Sequence, residues 1–216
     1  MDKQLDFYQV DARYIAYLLK HDSRVPKVDY SAENAHEKFL CGVVLKVNDH
    51  DYFAPISSFR TLQRSNIIIK DANGKDVASI RFSFMIPVPP NAVSIKRISN
   101  EPSAKYRILL DMELQYCRRN ANAIYSRAKF VYESVTIKKD LLMVKNCCDF
   151  NILEAACAEY VKTILKNENQ EHNEEETKPI QDNTSTTESL AEGENEADKL
   201  NIDKQESPQS NSASEQ

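Results

Sequence analysis

Four side chains in the first third of the sequence have the chemistry to act on a phosphodiester. Residues 52–60 read YFAPISSFR, which sets adjacent hydroxyls at Ser57 and Ser58 just ahead of Arg60. Lys38 stands immediately before FLCGVVLKV, an apolar and β-branched run typical of a strand. The polar cluster NDHD separates the two segments and reads as a hairpin turn. In an antiparallel hairpin the start of one strand lies beside the end of the next, so Lys38 and the Ser57–Arg60 segment are expected at one end of a sheet. Pro55 cannot donate to a ladder, so the second strand is expected to stop or bulge there. An ammonium, two hydroxyls and a guanidinium gathered together suit a phosphodiester. The cations offset the extra charge of a pentavalent phosphorane, and the hydroxyls bond its non-bridging oxygens. RNA brings its own nucleophile, the 2′-hydroxyl, so the chemistry strictly requires neither a metal nor a histidine. The alternative is a capped loop leading to a short helix, with Arg60 solvated.

Other chemistries lose support. The four histidines stand at 21, 36, 50 and 172 and form no HxH or HExxH spacing; no serine sits in GxSxG. Three glycines in 216 residues exclude a P-loop and a dinucleotide-binding fingerprint. No paired-carboxylate motif stands out. The five cysteines (Cys41, Cys117, Cys147, Cys148 and Cys157) are odd in number and include no CxxC. They read as reduced thiols of an intracellular protein rather than a disulfide framework. The vicinal pair Cys147-Cys148 lacks the two- to four-residue spacing of zinc ligands, so no metal and no cofactor are expected. The opening MDKQLDFYQ is charged and has no apolar signal-peptide core. No run approaches the roughly 18 apolar residues of a membrane span. A soluble cytoplasmic protein is the expectation.

The elements that must position these groups can be read in outline. LDFYQV alternates as a short strand; DARYIAYLLKHD then offers Asp11 as an N-cap, with Tyr14, Ile15, Leu18 and Leu19 on one helical face. After the 39–57 hairpin, residues 66–84 repeat the pattern around the turn Ala72-Asn73-Gly74, and FMIPVP closes the strand set. From Ser103 the apolar period lengthens to three or four, giving long helices broken near Asn120–Asn122 and a last one capped by Asp149. This is an α+β body with a small antiparallel sheet early and helices late. Composition then shifts. Residues 167–216 hold 14 acidic and 3 basic residues and no aromatic, which leaves the rest of the chain at +6 although the whole is −5. Such a segment buries too little apolar area to offset its ordering entropy, so 167–216 is expected to be a disordered acidic tail after a folded domain at 1–166. All ten tyrosines and eight phenylalanines lie in the basic part. That pairing suits nucleic acid, because cations meet phosphates while rings stack on bases.

Taken in order, FYQVDARYIAYLLKHDSRVP, Lys38-x-x-x-Gly42, YFAPISSFR, FMIPVP, YRILLDMELQYCRRN and CDFNILE resemble the toxins of type III toxin–antitoxin systems, the ToxN/AbiQ/CptN family. The resemblance spans roughly residues 6–165. It implies a strongly twisted antiparallel β core wrapped by helices, of the ToxN/MazF-like kind. It also implies a metal-independent endoribonuclease that leaves a 2′,3′-cyclic phosphate and a 5′-hydroxyl on cellular or phage RNA. The partner it implies is a small antitoxin RNA, a pseudoknot made as tandem repeats, which the toxin trims and which inhibits it in a cyclic toxin–RNA assembly. Growth arrest or abortive phage infection is the implied outcome.

By resemblance, Lys38 matches the family's catalytic lysine, Ser57 and Ser58 its hydroxyl pair, and Arg60 its following basic residue. Ser58 is then the hydroxyl nearest the reacting phosphate, Ser57 a positioning group, and Lys38 and Arg60 charge stabilisers. The family often carries Thr-Ser-Pro-Lys where this chain has Ser57-Ser58-Phe59-Arg60. Arginine keeps the charge but does not deprotonate, so Arg60 cannot serve as a base. The group that takes the 2′-hydroxyl proton stays open. For RNA contacts, Tyr8 and Tyr30 are candidates to stack on bases, with core packing as the alternative, whereas Tyr14 and Tyr17 read as core. Arg118, Arg119, Arg127 and Lys129 line either an RNA groove or a solvated helix face. Two other classes remain: an RNA-binding module with the same fold and no chemistry, and a protein-interaction domain that works through its acidic tail.

Overall fold

The structure is a computed structural model that describes residues 5–27 and 39–176, with side chains described through residue 164. Its sheet is built from β1 (Asp6–Val10), β2 (Leu40–Val47), β3 (His50–Ser57), β4 (Asn66–Lys70), β5 (Asp76–Arg81), β6 (Ile86–Pro87) and β7 (Val93–Ile95). Every pairing is antiparallel, in the order β4-β5-β3-β2-β1-β7, with β6 also on β3. The β2–β3 hairpin turns at Asn48 and Asp49, whose φ angles are 46° and 66°. A two-residue turn of this hand matches the strand twist, and Asn and Asp tolerate it better than other non-glycine residues. The β4–β5 hairpin uses Gly74, at φ 79°, with the Asp71 carboxylate accepting from the Asn73 and Lys75 amides.

The strand through Pro55 does not stop there. β3 pairs with β2 as far as Pro55, opposite Leu40, and runs on to Ser57. Its other edge is taken by β6 at Tyr52 and Phe53 and by β5 at Ile56 and Ser57. Pro55 falls in the gap between those two ladders, where a missing N–H costs nothing. The expected halt at the proline is thus a change of partner.

Helices cover this sheet. α1 (Ala12–His21) starts as expected at Asp11, whose carboxylate accepts from the Arg13 amide at 2.7 Å, and it buries Tyr14, Ile15 and Leu18. Tyr14 donates its hydroxyl to the Pro87 carbonyl at 2.7 Å, pinning the helix to β6. α2 (Ala104–Arg119) and α3 (Ala121–Thr136) meet at Asn120, the break expected from the sequence. A short α4 (Leu141–Asn146), capped by Asp140, was not expected. α5 (Phe150–Glu176) opens at Asp149, whose carboxylate accepts from the Ile152 amide. Its helical backbone continues past the boundary expected at Lys166, because Glu, Lys and Gln propagate a helix once packed turns have nucleated it. Residues 177–216, the rest of the acidic segment, lie outside the described residues.

The core runs between sheet and helices, with Phe7, Tyr14, Tyr52, Phe82 and Phe150 among the largest fully buried side chains. Burying each phenylalanine contributes about 1.5–3 kcal/mol. Tyr52 and Tyr132 both donate to the Glu154 carboxylate, at 2.7 and 2.8 Å, tying β3, α3 and α5 together. All five cysteines are buried free thiols, and burial pushes Cys147 up to about 11. The result is the expected class: a twisted antiparallel β core wrapped by helices.

Candidate active site

A cleft of about 510 Å³ opens where β2 begins and β3 ends. The register explains its place. β2 enters the sheet beside Pro55, so Phe39 and the segment Ile56-Ser57-Ser58 come to one rim. Pro55, Ile56, Phe39, Phe84 and Tyr106 make an apolar wall, and Ser57, Ser58, Arg24, Lys27 and Arg81 supply polar groups. A cavity with a large apolar lining and a few convergent polar groups is the usual form of a ligand site.

The two hydroxyls differ. Ser57 accepts a hydrogen bond from the Phe59 amide at 3.1 Å, which curls the chain out of the strand and fixes Ser57 in place. The turn is locked from beneath by Ser79, opposite Ser57 in the ladder, whose hydroxyl donates to the Phe59 carbonyl at 2.6 Å. Ser58 is exposed at the cleft and makes no side-chain hydrogen bond among the described residues. It is therefore the hydroxyl available to a ligand. The following loop is held by the buried Asn66, which accepts from the Gln63 amide and donates to the Thr61 carbonyl.

The cations sort less simply than the sequence suggested. Lys38 lies outside the described residues, though its chain neighbour Phe39 lines the cleft. Arg60 is exposed, does not line the cleft, and points one guanidinium nitrogen at the Asp76 carbonyl, 3.5 Å away. Arg24 does line it but is committed elsewhere: Nε and Nη2 donate to Asp22, each at 2.9 Å, and Nη1 donates to the Val144 carbonyl. The carboxylate of Asp22 also accepts from the Asp149 amide. Burial alone would raise Asp22, but its bonds from the Arg24 side chain and the Asp149 and Arg24 amides outweigh that and hold it below the ordinary range.

Arg81, at the end of β5, is the cation sequence reasoning missed. Its guanidinium carbon lies 4.5 Å from the centroids of both Phe59 and Phe84. Burial lowers its pKa. Nε is buried without a hydrogen-bond partner among the described residues. The signal was present as Phe59 on one segment and Arg81-Phe82-Ser83-Phe84 on another, but only the β3–β5 pairing brings them together.

The expected RNA-contact residues scatter. Tyr30 lies outside the described residues. Tyr8, half-buried on β1, packs edge-on against Phe53 at 5.1 Å, with burial raising its pKa ahead of the nearby Asp6. Arg118 clamps β1 through the Leu5 carbonyl at 3.0 Å and Asp6 at 2.8 Å. Arg119 is exposed. Arg127 donates to the Arg64 carbonyl and lies 6.0 Å from the Phe130 ring, while Lys129 faces Glu133 at 3.8 Å. None of the five described ones lines the cleft. Among the described residues, no group of three or more His, Cys, Asp or Glu side chains could hold a metal ion, and no helix is long and apolar enough to cross a membrane.

The fold, an antiparallel core wrapped by helices, defines a class shared with solved type III toxins. The structure of AbiQ, a lactococcal anti-phage endoribonuclease belonging to the type III toxin–antitoxin system, is similar with a TM-score of 0.66 and 28% identity, covering 74% of this chain and 99% of that one. A second, from work on selective inhibition of a bacterial type III toxin by a non-coding RNA pseudoknot, gives 0.66 and 27%, covering 73% and 98%. In sequence, Endoribonuclease ToxN of Bacillus thuringiensis subsp. kurstaki is 29% identical over 164 residues, 71% of this chain and 83% of the relative. Endoribonuclease AbiQ of Lactococcus lactis subsp. lactis is 32% identical over 173 residues, 73% and 90% respectively. Residues 6–158 match the family described as Toxin ToxN, type III toxin-antitoxin system, and the chain belongs to that family.

Proposed function

We propose that this chain is an endoribonuclease toxin that cleaves RNA without a metal ion and is inhibited by a small repeat RNA that it also processes. The observation that carries the reading is the shared cleft of Ser57, Ser58 and Phe39, the chain neighbour of Lys38. The ToxN and AbiQ relatives, named endoribonucleases, support the reaction class. The solved toxin whose inhibitor is a non-coding RNA pseudoknot supports the kind of partner.

In the proposed step the 2′-oxygen attacks the adjacent phosphorus as the P–O5′ bond breaks. The 2′-hydroxyl loses its proton, the 5′-oxygen gains one, and the products are a 2′,3′-cyclic phosphate and a 5′-hydroxyl. The free hydroxyl of Ser58 donates to a non-bridging oxygen, a bond that strengthens as charge builds in the transition state. Ser57 sets the turn that aims Ser58. Lys38 contributes positive charge. Arg60, two residues beyond Ser58, adds its positive charge at longer range.

Expression of the wild type and of Ser58→Ala in cells, with RNA ends mapped, tests this. The wild type should arrest growth and leave cyclic-phosphate ends, while Ser58→Ala should cleave about a hundredfold more slowly. Equal toxicity of the two would remove Ser58 from the mechanism. RNA binding with no cyclic phosphate from the wild type would favour the non-catalytic module instead.

A further inference from the structure

The cleft contains a second group with no assigned task. Arg81 lines it and makes no side-chain hydrogen bond or ion pair among the described residues. Unpaired guanidinium groups are costly when partly withdrawn from water, because a buried charge needs a counter-charge or hydrogen bonds. Here the two neighbouring rings, Phe59 and Phe84, leave the guanidinium fixed rather than free to swing out. Arginine stacked on rings through its faces keeps its N–H groups directed outward in the plane, where they can grip a phosphate in fork geometry. The other arginine of the cleft, Arg24, is already neutralised by Asp22. Phe59 also belongs to the turn that Ser57 and Ser79 lock, so the ring against Arg81 and the hydroxyl of Ser58 are carried by adjacent residues.

We infer that Arg81, held against Phe59 and Phe84, is the anchor for the scissile phosphate and takes the charge-stabilising place that the sequence alone gave to Arg60. This rests on the endoribonuclease reading above. In the step described there, Arg81 bonds the non-bridging oxygens while the negative charge on them grows, and moves no proton itself. Its contact is stronger in the transition state than with bound RNA, so its loss should fall mainly on kcat.

The test uses the full chain, a random-sequence single-stranded RNA pool and inorganic phosphate. Wild type, Arg81→Gln, Arg81→Lys and Arg60→Gln are compared for cleavage rate across RNA concentrations and for phosphate binding by phosphorus NMR line broadening. Arg81→Gln should lower kcat about a hundredfold, change KM by less than about tenfold, and abolish phosphate broadening. Arg81→Lys, a point charge without the fork, should recover part of both, and Arg60→Gln should lower kcat by less than Arg81→Gln does. Should Arg81→Gln fail to fold, Phe59→Leu, which loosens the ring contact but keeps the charge, should still weaken phosphate binding and kcat together. The inference is overturned if Arg81→Gln folds and retains kcat and phosphate binding, or if Arg60→Gln carries the loss instead. A wild type that binds phosphate through Arg81 yet cleaves no RNA would sink the endoribonuclease reading and leave the anion site standing.

Discussion

At the scale of the residue, this site depends on who is already occupied. Ser57 and Ser58 are neighbours with the same hydroxyl, yet one is tied into a turn and the other is left to a ligand. Arg24 and Arg81 line the same cleft, yet one is held by a carboxylate and the other by two rings. Sequence shows the residue types but not these commitments, so it points to Arg60, just after the serine pair, and not to Arg81, which only the fold brings there. A glycine underlies the arrangement. Gly42 faces Phe53 across the β2–β3 ladder, and a Cβ at position 42 would sit 2.0 Å from that ring. The ring cannot move freely, because Tyr8 packs edge-on against it. Gly42→Ala should therefore destabilise the protein by about 1–3 kcal/mol or more, read as a lower denaturation midpoint with an unchanged slope. A Phe53→Leu, Gly42→Ala double variant should recover part of the loss. An unaltered midpoint in the single variant would mean that the strands have room the structure does not show.

At the scale of the element, the legible parts are those with a strong local signal. The 40–57 hairpin, the helix capped by Asp11 and the break at Asn120 were all readable, since turn residues, caps and apolar periods are local properties. What was hidden is set by distant partners. β7 is three residues long, too short for any period to show, and exists because β1 offers it an edge, whereas β6 falls within the expected FMIPVP segment. The sequence predicts a stop at Pro55, and the flanking strands β5 and β6 are what carry β3 past it. α2 holds a similar surprise. Glu113 lies on its buried face, 4% exposed, with no hydrogen bond or ion pair among the described residues. Burial raises its pKa from the ordinary value near 4.5 to about 7. The sign follows. The folded state binds this proton more tightly than the unfolded chain, so the stability it contributes is complete below about pH 4.5. That contribution is lost as pH rises through about 7, and the full swing is on the order of 3 kcal/mol. Chemical denaturation at several pH values should show stability falling across that window, and Glu113→Gln should flatten the fall and be the more stable form at pH 8. A wild-type profile level from pH 5 to pH 8 would mean that water reaches the carboxylate.

The whole molecule presents a charge problem that neither site nor helix resolves. Its net charge of −5 conceals a body that is positive up to residue 166 and an acidic remainder. Residues 177–216 alone carry nine acidic and three basic side chains. An RNA-directed protein gains affinity and association rate from a positive field, because cations displace the counterions condensed on phosphate. Any acidic segment of the same chain subtracts from that field at distances within a Debye length, about 10 Å at 0.1 M salt. It would do so most for RNA held only by its backbone, and least for RNA gripped in the cleft by Ser58 and Arg81. The segment should thus raise selectivity by weakening loose binding. Truncation after Glu176, which keeps the whole of α5, tests this in the Ser58→Ala background so that the RNA survives. The truncated chain should bind random-sequence RNA several-fold more tightly at low salt. The gain should vanish near 1 M salt, where screening shortens the Debye length to about 3 Å. Affinity unchanged at low salt would leave the acidic segment with no part in RNA binding, and a gain that persists at high salt would point to something other than charge.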